Sequence, residues 1–272
     1  MRKSKILTTK IPIIILCRNL FVFMSEKGSP QIQPKKETEG VMAVVKKLLS
    51  GSVMFVLDGI RNTHKEGHIF ILIGIILTLF AYSLSTFLGN IFLVITVWCV
   101  CFFRDPERAI PQQSGVFVSP ADGTITGVIE NETLPEELGY SAEEKFTRVS
   151  IFLNVFNVHV NRIPAKATIE KVCYVPGKFL NASIDKSSKE NERNILMLKN
   201  EDGETFAVTQ IAGLIARRIV SYATQGANYQ RGERYGIIRF GSRVDIFVPQ
   251  NYKVAVLLGQ TMVGGETIIA SK

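Results

Sequence analysis

From Ile69 to Phe103 the chain runs for 35 residues without an Asp, Glu, Lys or Arg. As one straight helix, at about 1.5 Å per residue, this run would be roughly 52 Å long against a hydrocarbon core of about 30 Å. A single spanning helix is a poor fit. The centre, "YSLSTFLGN", is more polar and ends in Gly89-Asn90, a turn signal. The pattern predicts two short helices, about 70–82 and 91–103, joined as an apolar hairpin. Lys46, Lys47, Arg61 and Lys65 precede it, and Arg104 and Arg108 follow. Both flanks are therefore expected on the cytoplasmic side of a cell membrane, whether the hairpin crosses or only dips in. The other reading is a buried helical hairpin in a soluble core, for which so long a charge-free run is unusual.

The segment before it differs. "MRKSKILTTKIPIIILCRNLFVFM" imitates a signal peptide, but Arg18 breaks the apolar run and no small-x-small site follows. "SEKGSPQIQPKKETEG" is linker-like. Residues 1–41 read as a disordered extension dispensable to the fold, and Met42 as a possible alternative start. Residues 42–62 read as an amphipathic segment able to lie along a membrane. With the hairpin they make a membrane-associated region, 42–103.

Beyond "FRDPERAIP" short β-prone runs alternate with Gly- and Pro-containing turns: "GVFVS", "GTITGVIE", "TRVSIFL", "VHVNRI", "ATIEKVCYV", "NILMLKN", "TFAVTQI", "YGIIRF", "RVDIFV" and "KVAVLL". They predict a mainly β, antiparallel domain over 104–272. Only "GLIARRIVSYA" is ambiguous between helix and strand. Spaced glycines in "GANYQRGERYGII" and "PQNYKVAVLLGQTMVGGETIIA" suit a small barrel of short strands and tight bends. The net charge of +8 suits an anionic partner. A nucleic acid would leave the apolar run unexplained, so a membrane surface is the better expectation.

The chemistry-bearing residues are few. Cys17, Cys99, Cys101 and Cys173 form no CxxC pair, so neither a disulfide framework nor a metal site is expected. The three histidines are His64, His68 and His159. Asp122, in "VSPADGTI", by itself reads more readily as a turn residue than as a functional one. His159 lies between strand-like valines in "NVFNVHVNRIP", where a structural histidine is equally common. Ser242 follows Gly241 at a break in "IIRFGSRVDIFVPQ", a stretch that otherwise alternates as a strand; a bulge or tight bend would look the same.

Taken together, "HKEG", "FFRDPERAIP", "SPADG", "NVHVNRIP", "PGKFLNASIDKSSKENERN", "QIAGLIARRIV" and "RFGSRVD" occur in an order that resembles the short form of the phosphatidylserine decarboxylases over about residues 60–270. The resemblance implies a membrane-associated, pyruvoyl-dependent carboxy-lyase made as a proenzyme, with a lipoyl-like antiparallel β barrel or sandwich as catalytic domain. It implies a self-cut between Gly241 and Ser242, giving a β chain, 1–241, and an α chain, 242–272, that stay together as a heterodimer. Ser242 would become the covalent pyruvoyl group, with Asp122 and His159 as its partners in self-cleavage. That group would form a Schiff base with phosphatidylserine and yield phosphatidylethanolamine and CO2 in phospholipid biosynthesis. Longer members carry a second histidine where this chain has Phe156. Arg162, Lys178, Arg239 and Arg243 are candidates for holding the anionic phospholipid, while His64 and Glu66 read as interface residues outside the catalytic set.

Two rival readings remain at this stage. A membrane-anchored carrier domain would need a modifiable lysine at a hairpin tip, and Lys253 is the nearest match, without the usual flanks. The same chemistry on another amino-acid-headgroup phospholipid is the second.

Overall fold

The structure, a computed structural model, describes residues 62–140, 143–180, 190–213, 218–239 and 242–272. The extension 1–41, nearly all of the amphipathic segment, Arg217 and Gly241 lie outside the described residues.

Two helices, α1 (His68–Leu84) and α2 (Thr86–Phe102), form the hairpin. The chain reverses at Ser85, which is extended (φ −164°, ψ 136°) and whose Oγ accepts the Phe87 N–H at 3.3 Å. A serine in this role caps a helix by satisfying a free amide. The expected turn at Gly89-Asn90 is thus corrected: both residues lie inside α2. Gly89 serves close packing, because a Cβ there would lie 2.2 Å from the Tyr82 ring. Asn90 Oδ1 accepts the Tyr82 hydroxyl at 2.7 Å. Further along, Thr78 and Thr96 share a hydroxyl hydrogen bond of 3.0 Å beside Gly74. Small residues and hydroxyl pairs are what apolar helices use when no aqueous driving force holds them together.

The outward faces bury little. Leu72, Ile76, Leu79, Phe80, Val94 and Val97 are all more than half exposed. The described residues do not enclose the hairpin in a soluble core, and an apolar surface of that extent marks membrane association. At about 1.5 Å per residue each helix is roughly 25 Å long, a little short of a hydrocarbon core of about 30 Å.

The rest is antiparallel β structure. An eight-stranded sheet has the order β13 (Thr261–Met262), β2 (Gly123–Glu132), β3 (Phe146–Leu153), β11 (Ser242–Pro249), β7 (Thr205–Ala212), β6 (Arg193–Asn200), β5 (Ala167–Val175), β9 (Asn228–Tyr229). One three-stranded sheet joins β4 (Val160–Arg162), β10 (Arg234–Arg239) and β8 (Arg218–Ser221). The other joins β1 (Val116–Val118), β14 (Ile268–Ser271) and β12 (Lys253–Val254). The described part of the ambiguous "GLIARRIVSYA" is therefore a strand. Among the described residues the large sheet stays open, from β13 to β9.

All three sheets feed one core, with Phe117 and Ile269 from one, Ile219 and Ile238 from another, and Ile151, Val208 and Ile246 from the largest. β11 lies at the centre of the large sheet, paired along its length with β3 and over most of it with β7. Its alternation sorts side chains to two faces: Val244, Ile246 and Val248 enter the main core. Arg243, Asp245 and Phe247 face the other way, where Phe247 packs with Leu134 and Leu138. The buried charges are paired there: Arg243 donates to Asp245 at 2.8 and 2.7 Å, and Arg148 from β3 reaches it at 3.4 Å. Breaking such a buried pair from one side typically costs about 3–5 kcal/mol.

The hairpin is seated on the small sheet. Ile71, Phe102 and Phe103 pack with Val158, Val160 and Ile237. The His64 N–H donates to the Phe103 carbonyl at 2.7 Å, closing the base of the hairpin.

Candidate active site

Ser242 is the first residue of β11 and is fully buried. Its register partners are Leu153 and Ala212, both in the main core, so its side chain shares their face. Among the described residues its Oγ has no hydrogen-bond partner. An unpaired buried hydroxyl is costly, and such exceptions mark strain or chemistry. The position has a topological reason as well. β10 ends at Arg239 in the small sheet, and β11 begins at Ser242 in the large one. The break in the alternating sequence pattern is where the chain changes sheets.

His159 immediately precedes β4 and is fully buried. Its ring stacks on Phe102 at the base of the hairpin, 4.2 Å between centroids. Nδ1 donates to the Asn157 carbonyl at 3.0 Å. A carbonyl only accepts, so the neutral ring carries its proton on Nδ1 and keeps the Nε2 lone pair. Burial pushes the imidazole down to about 4, with Arg104 acting in the same direction and the Asn157 hydrogen bond against it. At neutral pH it is an uncharged base. The His159 carbonyl in turn accepts the Ile238 N–H at 3.3 Å, which places this residue against the strand leading to Ser242.

Asp122 sits in the turn between β1 and β2. Arg108 donates to both carboxylate oxygens, at 3.0 and 2.9 Å, and the Gly264 N–H donates at 2.7 Å. The following Gly123 is required by backbone approach: at φ +156° a Cβ would meet the Phe152 carbonyl oxygen at 2.3 Å. The turn abuts β4, because the Arg162 N–H donates to the Pro120 carbonyl at 2.8 Å. The hydrogen bonds named here lead from Asp122 to Arg108 and Gly264, and from His159 to Asn157.

The basic candidates are engaged. Arg162 is buried and bonds Asp105, the Pro106 carbonyl and the Gly232 carbonyl. Arg243 pairs with Asp245 on the face of β11 opposite Ser242. A cavity of about 750 Å³ opens on that opposite face, lined by Arg148, Arg193, Thr209 and Asp245 among others, so it is separate from the serine. Arg239 pairs with Glu66. Lys178 is largely exposed and lies 3.2 Å from Glu190. Phe156 is 71% exposed, and its carbonyl accepts from Arg104 at 2.7 Å beside the hairpin base.

Two contributors were passed over in the sequence. Asn191, within a quoted motif, donates to the Ala212 carbonyl at 2.7 Å and to Leu180 at 2.8 Å, tying down the register partner of Ser242. Glu66, set aside with "HKEG", touches the strand that leads to Ser242. Only their presence in the quoted motifs signalled them; nothing in the spacing gave their partners.

Fold and site thus define a hairpin-anchored, mainly β protein with a buried serine at a sheet crossing and a neutral histidine that precedes β4 and is bonded to β10, the strand leading to that crossing. A family model described as phosphatidylserine decarboxylase matches residues 95–270. The chain is 51% identical over 209 residues to the phosphatidylserine decarboxylase proenzyme of Pelagibacter ubique, covering 77% of this chain and 96% of that one. It is 48% identical over 211 residues to the proenzyme of Ruegeria pomeroyi (78% and 95%) and 50% over 214 residues to that of Wolbachia pipientis (78% and 92%). The chain belongs to the phosphatidylserine decarboxylase family.

Proposed function

We propose that the chain is a proenzyme that cuts itself between Gly241 and Ser242 and then decarboxylates phosphatidylserine to phosphatidylethanolamine and CO2. The observation that carries this reading is the buried Ser242 hydroxyl, without a hydrogen-bond partner among the described residues, at the start of a central strand. A serine hydroxyl is a weak nucleophile until a base takes its proton. His159, uncharged and with Nε2 free of its proton, is the base. Ser242 Oγ attacks the Gly241 carbonyl carbon, the peptide C–N bond breaks as the ester C–O bond forms, and the proton passes to the new amine. Removal of the Ser242 α-proton then expels the Gly241 carboxylate and leaves dehydroalanine. This isomerises to an imine, and water releases ammonia to leave the pyruvoyl ketone. Asp122, fixed by Arg108 and Gly264, supplies a carboxylate at the turn beside β4.

The site fits that group: a small side chain with no hydrogen bond to lose, on an apolar face. The pyruvoyl ketone supplies an electron sink for the departing CO2. The chain's own part is then to hold a lipid headgroup beside His159, whose ring stacks on Phe102 at the base of the hairpin. Arg104, at the hairpin base, and the exposed Lys178 supply positive charge toward its phosphate and carboxylate, whereas Arg162, Arg239 and Arg243 are already paired with Asp105, Glu66 and Asp245. The basic flanks of the hairpin support a cytoplasmic orientation. Three sheets around one core are in keeping with the lipoyl-like sandwich expected from the sequence.

Intact-mass analysis tests the reading. Native protein is expected as two chains, the smaller beginning at residue 242 with a keto-blocked end, and Ser242→Ala as one inactive chain. An active, uncut single chain overturns it.

A further inference from the structure

We propose that Glu66, Tyr222 and Arg239 form a brace that couples the seating of the membrane hairpin to the geometry of the Gly241-Ser242 bond, making Glu66 and Tyr222 positioning residues for self-cleavage. The inference rests on the cleavage reading above and goes beyond it by assigning a function to the "HKEG" motif.

Glu66 lies in a short 3-10 turn, Lys65–Gly67, that leads directly into α1. One carboxylate oxygen accepts the Tyr222 hydroxyl at 3.0 Å, and the other accepts from the Arg239 guanidinium. Tyr222 follows β8, and Arg239 ends β10, so the carboxylate ties two ends of the small sheet to the foot of the hairpin. Further contacts hold the group in place. The Glu66 N–H donates to His64 Nδ1 at 3.3 Å, and the His64 ring lies against Tyr222 with centroids 5.9 Å apart. Lys65 Nζ stands 3.9 Å over the Tyr222 ring, and the Arg239 guanidinium sits 5.4 Å over Phe70 of α1. Burial alone would raise the Glu66 pKa, but the Tyr222 and Arg239 hydrogen bonds and the Arg239 charge hold it below the usual range. Burial and Glu66 push Tyr222 up to about 12.

The position of Arg239 gives the brace its consequence. Two residues separate it from Ser242, and in that interval the chain leaves one sheet for another. Attack by a hydroxyl on its own preceding carbonyl needs the reacting atoms held near contact, and small misplacements are expensive. β11 is fixed on the far side by β3 and β7. On the near side the end of β10 is held by its ladder to β8 and by the Arg239–Glu66 pair. The residue that supplies this second anchor lies in the turn that enters the membrane hairpin, so an unseated hairpin would leave the junction slack.

The test uses the full chain in detergent, following the uncut fraction by intact mass after synthesis. Glu66→Gln, which keeps size and removes charge, is expected to slow self-cleavage by roughly tenfold or more, the scale of one lost charge-assisted hydrogen bond. Glu66→Asp is expected to recover part of the rate, and the charge-exchanged double variant Glu66→Arg, Arg239→Glu more of it than either single reversal. Cleavage of Glu66→Gln at the wild-type rate overturns the proposal. So does a slowing matched by a lowered thermal midpoint and rescued by neither Glu66→Asp nor the exchange, because the pair would then only hold the fold. A wild-type chain that never cuts itself would instead strike the cleavage reading, a result separate from either.

Discussion

At the scale of single residues the site depends on which state of His159 the fold favours. The ring is buried against Phe102 and donates from Nδ1 to a carbonyl, so its uncharged form is stabilised. Burial lowers its pKa to about 4, against an unfolded value of 6.5. Between these values the unfolded chain binds a proton that the folded chain refuses. Folding stability therefore falls as the pH drops from 6.5 to about 4, by about 3 kcal/mol, and recovers as the pH rises through the same window. In the uncut Ser242→Ala background, a large part of the loss in unfolding midpoint between pH 7 and pH 4.5 is expected to vanish in His159→Asn. The self-cleavage rate of the wild type should likewise hold down to pH 5, where an ordinary imidazole would already be protonated. A rate that halves near pH 6.5 would remove His159 as the base.

At the scale of elements the hairpin shows how far composition carries. A charge-free run of this length has to turn, and the sequence says so; where it turns depends on the partner helix. Gly89 looked like a hinge because glycine is the usual turn residue, yet the Tyr82 ring occupies the space its side chain would need. Ser85 makes the reversal instead, through its cap on Phe87. Gly89→Leu is accordingly expected to destabilise the hairpin by about 1–3 kcal/mol through overpacking. The thermal midpoint in detergent should fall, while Ser85→Asn, another capping residue, should leave it nearly unchanged. The β runs were more legible, since alternation marks strands locally. The two-residue strands β9 and β13 carry too short a pattern to be read, and only their pairing defines them; "KVAVLL" reads as a strand, of which only Lys253–Val254, β12, pairs.

At the scale of the whole molecule, the segment from Ser242 onward is not an appendage. It supplies β11 to the centre of the large sheet, β13 to its edge, and β12 and β14 to a sheet with β1. The strands on the two sides of the break, β10 and β11, lie in different sheets. What would hold the two pieces together is the interleaving of the later strands, with Asp245 pinned by Arg148 across β3 and β11. After the cut, the 31-residue piece is expected to co-elute with the rest in native size exclusion. It should separate only in denaturant; dissociation in buffer alone would contradict the threading.

By itself the sequence determined the local quantities: a charge-free run that must leave water, alternating strands, and a glycine-serine break flanked by motifs long enough to mark the family. These depend on neighbours along the chain, which periodicity records. Tertiary structure alone decided which groups meet: Ser85 as the turn, Phe102 against His159, Arg108 on Asp122, and Glu66 on Arg239, 173 residues away. Such pairs are set by how the sheets and hairpin pack around one core, and a single sequence carries no signal of that distance.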